Sequence, residues 1–242
     1  MRVAFAADVH LSADRPTAVK QFLELLHRAQ RLDTLYLLGD VFDLWLGDDD
    51  ARAPHPDVMS GLQRLTRQTD VRFMVGNHDF LVGDGFIADS GCNWLDDPNV
   101  IELGGERVLL MHGDTLCTDD TAYQAYRAEV RDPQTQSQFL SQSLDARLAY
   151  AQTLKTSSKA HHATVGAEIT DVNADEVRRV MHRHRANTLI HGHTHRPAWH
   201  ENQGLGRGLK RIVLSDWYRS SDILIWDADG YRHGSFTDLI PI

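Results

Sequence analysis

Two cysteines, Cys92 and Cys117, are all that the 242 residues contain. They stand far apart and in no ligand spacing. This argues against a disulfide scaffold or a thiolate metal site and fits two reduced thiols in a cytoplasmic protein. Long apolar runs are missing too. No stretch approaches the roughly 20 apolar residues that cross a bilayer, so at most a peripheral membrane contact is expected. Asp8 and His10 interrupt the first apolar run, Val3 to Ala7, before a signal-peptide core could form. Positive charge is in deficit, with 25 Lys and Arg against 34 Asp and Glu and a net charge of −9. A nucleic-acid partner usually needs a basic face and is not expected. Repeats and low-complexity tracts are absent, and nothing in the sequence sets an oligomeric state.

What is present is an alternation of short apolar runs and amphipathic stretches. Arg2 to Ala7, Thr34 to Leu38 and Val71 to Val75 read as buried strands. Between them, Thr17 to Ala29 predicts a helix with Val19, Phe22, Leu23, Leu26 and Ala29 on one face, and Val58 to Leu65 predicts a second. This alternation implies parallel sheet, whose ligand sites lie beyond the carboxyl ends of the strands. Gly104-Gly105 within Val100 to Met111 marks a hairpin. Asn187 to Ile190 is a further strand, and Ile223 to Trp226 with Tyr231 to Phe236 form a second hairpin turning at Asp227 to Gly230. The expected architecture is α/β, a four-layer αββα sandwich with two facing sheets in a single domain over residues 1–242. Residues 116–170 lack strand signals and read as a helical insertion, a candidate lid.

Five blocks recur in order: Asp8-Val9-His10, Gly39-Asp40, Gly76-Asn77-His78-Asp79, His112-Gly113-Asp114 and Gly192-His193-Thr194-His195. Three of them sit at predicted strand ends, so folding brings them together. Hard divalent cations such as Mn²⁺ take carboxylate, amide oxygen and imidazole as a set. Alternate residues of an extended segment point the same way, so Asp8 and His10 can reach one ion. Asp40 can bridge two ions, Asn77 adds a neutral oxygen, and His112, His193 and His195 add nitrogens. Two such ions about 3.5–4 Å apart acidify a water and neutralise charge on phosphoryl oxygens, which points to hydrolysis of phosphate esters or anhydrides. His78, beside Asn77, is placed to protonate a leaving oxygen or to act as a cation on the transition state. Asp79 is placed to orient a histidine. Asp48-Asp49-Asp50 reads as a solvated loop, a brace near Asp40 or a third metal site.

The ordered blocks resemble the calcineurin-like metallophosphoesterase superfamily from Asp8 to His195. That resemblance implies one ion on Asp8, His10, Asp40 and His195, a second on Asp40, Asn77, His112 and His193, and a catalytic role for His78. Leu37 to Asp49, Met111 to Asp120 and Leu189 to Pro197 resemble, more narrowly, the UDP-2,3-diacylglucosamine hydrolases. This family implies cleavage of a nucleotide-linked glycolipid at its pyrophosphate, giving UMP and the acylated sugar 1-phosphate in lipid A biosynthesis. It also implies two Mn²⁺ and work at the cytoplasmic face of the inner membrane. Asn77, His78, Asp120, Ser158, His162 and His193 are then the substrate contacts, Asp120 alternatively capping a helix that begins near Thr121.

The chain departs from that family's pattern in three places. His78 stands where the family has Arg. His162 and Val165 stand where it has Asn and Lys, with Lys155 or Lys159 as substitutes for the lost charge. The insertion is less apolar, carrying Phe139, Leu140, Leu144, Leu148, Tyr150 and Leu154 at helical spacing, a stripe that packs on the core or faces an acyl pocket. His78 favours another phosphoesterase acting on a nucleotide pyrophosphate or phosphodiester; the extended matches favour the glycolipid. A non-catalytic scaffold should have lost ligands, and none of the seven is missing. His182, His184 and the arginines 178, 179, 183 and 185 form a basic cluster, explained by the end of a helix starting near Asn173 or by an anionic membrane.

Overall fold

The computed structural model describes residues 1–164, 169–202, 206 and 208–241, with side chains described except in 155–164. In chain order its elements are β1 (Val3–Ala6), α1 (Pro16–Arg28), β2 (Thr34–Leu38), α2 (His55–Leu65), β3 (Asp70–Met74), α3 (Asp84–Ser90), β4 (Asn93–Trp94), β5 (Asn99–Leu103), β6 (Glu106–Leu110), α4 (Thr121–Val130), α5 (Pro133–Leu140), α6 (Leu144–Thr164), α7 (Ala174–His184), β7 (Thr188–His191), β8 (Ala198–Glu201), β9 (Lys210–Val213), β10 (Asp222–Asp227), β11 (Gly230–Ser235) and α8 (Phe236–Leu239).

Two sheets form, with strand orders β11-β10-β1-β2-β3-β4 and β5-β6-β7-β9-β8. In the first, β1, β2, β3 and β4 run parallel and β10 joins β1 antiparallel; in the second, β6, β7 and β9 run parallel. The four-layer order follows from which residues face which core. Along β1, Ala4 and Ala6 face α1 and α2, while Val3 and Phe5 face the second sheet. A strand with both faces covered must be apolar throughout, which is why β1 reads as an unbroken run. Phe5, Leu38 and Met74 meet Val108, Leu110, Ile190 and Ile212 between the sheets. Leu109, Met111 and Leu189 meet Val177, Val180 and Met181 of α7 on the far side. Burying each such side chain stabilises the fold by roughly 1.5–3 kcal/mol.

Several boundaries move from the sequence reading. The helix expected from Thr17 starts at Pro16, whose fixed φ suits the first helical position. Its buried face is Ala18, Phe22, Leu25 and Leu26, rotated by about one residue so that Val19 and Leu23 lie at the margin against α2. The expected hairpin turns over Gly104-Gly105, both at positive φ. The last strand ends at Ser235 rather than Phe236, because the Ser235 side chain accepts the Thr237 N–H and starts α8. Of the basic cluster, His182, Arg183 and His184 lie in the last turn of α7 and Arg185 caps it, where Arg107 donates to the carbonyls of His184 at 3.0 Å and Arg185 at 3.2 Å. Arg178 and Arg179 pair with Asp175 and Glu176.

The segment between β6 and α7 carries α4, α5 and α6, as expected, but its apolar stripe does not pack as a core layer. Among the described residues α4 and α5 bury no side chain, and α6 buries Arg147 alone. Phe139 packs against the helix-side core, whereas Leu140 and Tyr150 are exposed. Cys92 and Cys117 are buried and unbridged. No described helix is long and apolar enough to cross a membrane.

Candidate metal centre

The five blocks occupy loops at the carboxyl ends of β1, β2, β3, β6 and β7, five of the parallel strands of the two sheets. Backbone hydrogen bonds tie these loops into one ring. Asp8 N donates to Gly39 O at 3.1 Å, His10 N to Asp40 O at 3.0 Å, and Gly192 N to His112 O at 2.8 Å. Seven described non-glycine residues have positive φ, and five of them are Asp8, His10, Asp40, His193 and His195. That conformation costs an L-residue roughly 1–2 kcal/mol. Such strain concentrates where backbone geometry serves a site. Gly39 lies at φ 90°, and a Cβ there would stand 2.5 Å from His112 Nδ1 and 2.7 Å from Gly76 Cα. A larger residue would push apart the two turns that carry Asp40 and Asn77.

The seven side chains converge in two neighbouring groups that share Asp40. On one side, His10 Nε2 faces His195 Nε2 at 3.1 Å, His195 Nε2 stands 3.5 Å from Asp8 Oδ1, and His10 Nε2 stands 3.9 Å from Asp40 Oδ2. On the other, Asn77 Oδ1 lies 3.0 Å from His112 Nε2 and 2.8 Å from His193 Nδ1, and His112 Nε2 is 3.7 Å from Asp40 Oδ2. Asp8, His10 and His195 are mutually close enough for their ligand atoms to hold one ion, and so are Asp40, His112 and His193. The donors also fit a cation on their own chemistry. The facing nitrogens of His10 and His195 share one hydrogen at most, and the His10 ring, 1% exposed, leaves its Nδ1 without a hydrogen-bond partner. Burial works against a charged His112, yet Asp40, Asp114 and Asp8 hold its imidazole up at about 9. Burial and the neighbouring His112 push His193 down to about 3. The site is therefore negative around Asp40 and favours positive charge there.

The surroundings orient the ligand set. His112 Nδ1 faces the Leu38 carbonyl at 2.9 Å; donation there turns Nε2 toward the site, where a bound cation would take the place of its proton. His78 Nδ1 faces the Asp43 carbonyl at 2.9 Å in the same way, and its ring lies 4.7 Å from that of His10. Asp79 does not orient a histidine. Its buried carboxylate accepts the N–H groups of Asp40, Val41, Phe42 and Gly76, because those turns leave four inward-pointing donors with no carbonyl to meet. The Asp48-Asp49-Asp50 run is no third metal site. Asp48 accepts from Gly83 N, Phe86 N and Trp45 Nε1, Asp49 pairs with Arg147, and Asp50 pairs with Arg52 at 2.6 Å.

Asp120 caps α4, its side chain accepting Tyr123 N at 2.9 Å. The Ser158 and His162 side chains, with Lys155 and Lys159, lie outside the described residues, as does all of Val165. Sequence reasoning missed the groups that fasten α4 to the site. Asp114, next to His112, accepts from Arg127 Nε at 2.6 Å and Tyr123 Oη at 3.0 Å, while Arg131 donates to Gly76 O at 2.8 Å. It also missed the loop after β9, where Trp217 N donates to Asp8 O at 3.0 Å and the Tyr218 ring sits 5.2 Å from that of His10. The partners are distant in sequence, and only the Asp114 block carried a motif.

The family profile of the calcineurin-like phosphoesterases matches residues 1–197. The chain is 46% identical over 239 residues to a UDP-2,3-diacylglucosamine hydrolase of Xanthomonas oryzae pv. oryzae (strain PXO99A), covering 95% of this chain and 97% of that protein. It is 44% identical over 240 residues to the UDP-2,3-diacylglucosamine hydrolase of Stenotrophomonas maltophilia (strain R551-3), covering 96% and 97%. An archaeal phosphodiesterase of known structure shares the fold at a TM-score of 0.50 and 13% identity, covering 97% of this chain and 99% of that one. Full-length similarity to these hydrolases, together with the profile match, shows that the chain belongs to the calcineurin-like phosphoesterase family.

Proposed function

We propose that this chain is a two-metal hydrolase of UDP-2,3-diacylglucosamine, cleaving the pyrophosphate to UMP and 2,3-diacylglucosamine 1-phosphate in lipid A biosynthesis. The observation that carries this reading is the gathering of Asp8, His10, Asp40, Asn77, His112, His193 and His195 around a shared Asp40, in a chain nearly half identical to UDP-2,3-diacylglucosamine hydrolases.

Two Mn²⁺ fit the mixed oxygen and nitrogen donors. Asp8, His10, Asp40 and His195 would hold one, and Asp40, Asn77, His112 and His193 the other. When bound, such a pair supplies charge neutralisation at the phosphoryl oxygens and acidifies water. The protein's own part is alignment. The ring of loop hydrogen bonds and the Asp79 clamp hold the ligands in place before substrate arrives. His78 keeps its Nδ1–H on Asp43 O and offers Nε2 to the cleft. Attack on the phosphorus bonded to the uridine ribose expels a phosphate monoester whose second pKa is about 6. Such a leaving group needs little protonation, so His78 serves less as a general acid than as a cation whose Nε2–H, beside the Nδ1–H held by Asp43 O, donates to a phosphoryl oxygen.

Residues 116–170 act in this reading as a helical insertion within one domain, roofing the cleft. Support comes from the Arg127–Asp114 and Arg131–Gly76 contacts and from the exposed Leu140 and Tyr150, which suit a glycolipid at the cytoplasmic face of the inner membrane. Asp120, Ser158 and His162 are the proposed sugar and phosphate contacts from this segment, beside Asn77, His78 and His193. The test compares Mn²⁺-loaded protein on UDP-2,3-diacylglucosamine and on unacylated UDP-sugars in ¹⁸O-labelled water. A strong preference for the acylated compound with label in UMP supports the reading. Equal turnover of both substrates, or label in the sugar phosphate, contradicts it.

A further inference from the structure

A cavity of about 370 Å³ opens between the start of α1 and the loop after β9, lined among others by Arg15, Thr17, Gln21, Trp217, Tyr218 and Arg219. Its size is in the range of small-ligand sites. The Tyr218 ring is the wall it shares with the metal centre, with its centroid 5.2 Å from that of His10 and 5.8 Å from that of His195. That wall is fixed in advance. The Arg15 guanidinium lies 4.2 Å over the Tyr218 ring, and its Nη1 donates to Val9 O at 2.7 Å and His10 O at 2.8 Å. The cavity is thus rigidly attached to the His10 and His195 side of the centre.

We infer that this cavity seats the nucleoside of the substrate, so that a nucleoside diphosphate sugar crosses the centre with its nucleotide on the His10 and His195 side and its acylated sugar beneath α4, α5 and α6. The inference rests on the hydrolase reading above and adds the direction in which substrate lies. Its chemistry comes from the lining. Among the described residues the Thr17 hydroxyl, the Gln21 amide and the Arg219 guanidinium make no hydrogen bond or ion pair. A neutral donor–acceptor pair suits the edge of a pyrimidine and the hydroxyls of ribose, and a free guanidinium suits the adjoining phosphate. An acyl chain would find little aliphatic surface there. The opposite side of the centre is occupied differently: Tyr123 stands 5.8 Å from the His193 ring, and the Arg127 and Arg131 contacts of α4 close over Asp114 and Gly76.

The experiment is calorimetric titration of Mn²⁺-loaded protein with UMP and with inorganic phosphate, on the natural chain and on the variants Gln21→Ala and Arg219→Ala. The natural chain is expected to prefer UMP over phosphate by about tenfold or more, and each variant to lose about fivefold of that preference. Mn²⁺ stoichiometry, which a general disturbance would lower, stays unchanged in both variants, and phosphate affinity stays unchanged in Gln21→Ala, whose side chain is assigned to the base and ribose alone. UMP binding no tighter than phosphate, or a preference untouched by both variants, overturns the subsite. Cleavage of UDP-2,3-diacylglucosamine is followed in parallel. Cleavage without a UMP preference refutes the subsite alone, whereas a UMP preference without cleavage supports the subsite and refutes the hydrolase reading.

Discussion

The carboxylate of Asp79 accepts the backbone N–H of Gly76 at 2.7 Å and that of Val41 at 2.8 Å, so one buried side chain clamps the turn that bears Asn77 to the turn that bears Asp40. The distance between two proposed ligands is set by a residue that is itself no ligand.

Removing that clamp leaves buried N–H groups without an acceptor. Asp79→Ala is expected to lower unfolding stability by about 3 kcal/mol and to weaken Mn²⁺ binding, with Asp79→Asn falling between it and the natural chain. Urea unfolding and metal titration of both variants measure this. Natural stability in Asp79→Ala would show that the turns stand without the clamp.

His78 has a different signature. Its Nδ1 is engaged by Asp43 O, and its Nε2 is assigned to the substrate rather than to an ion. His78→Ala is expected to reduce kcat by about a hundredfold to a thousandfold while the metal content of the purified protein stays that of the natural chain. Steady-state kinetics paired with elemental analysis separates the two, and unchanged turnover would remove His78 from the reaction.

Arg147 fastens α6 to the loop after β2. It is 2% exposed and bonds Leu46 O and the Asp49 carboxylate. Arg147→Ala is expected to raise KM by about tenfold with kcat changed far less, since the roof loosens while the metal loops do not move. Limited proteolysis should also cut faster between α5 and α6. A pure loss of kcat would place Arg147 in the chemistry instead.

Asp50 gives a pH dependence away from the metal loops. Burial alone would raise its carboxyl, but hydrogen bonds from Arg52 and the nearby His55 hold it below the ordinary value. A depressed folded pKa adds stability that is fully present above the unfolded value, about 3.9, and is lost as pH falls through the folded one. Asp50→Asn should therefore be less stable than the natural chain at pH 6, with the gap closing toward pH 3. Chemical unfolding at several pH values tests this, and a gap independent of pH would contradict it.

The metal blocks are legible because each follows an apolar run that breaks into polar residues, with Gly in four of the five, a local pattern that survives into β1, β2, β3, β6 and β7. The order of strands is not. β10 returns to pair with β1 across more than 200 residues, with Val3 opposite Trp226, and no local feature of either strand announces the partner. β8 and β9 are missed because Trp199 and His200 in the edge strand β8, and Lys210 and Arg211 in its neighbour β9, break the apolar pattern. Asp79 was placed in the right neighbourhood with the wrong partner, since backbone N–H groups leave no mark in a sequence. The Arg15 and Tyr218 pair was invisible for the same reason as β10: Arg15 also reaches Trp217 O, 202 residues away.

In the proposed hydrolase, two cations sit side by side on a shared Asp40. Titration of the metal-free protein with Mn²⁺, followed by electron paramagnetic resonance, tests it most directly. Two ions per chain with an exchange-coupled signal are expected, with loss of that coupling in Asp40→Ala. Binding of a single ion, or of two ions with independent spectra, would contradict it.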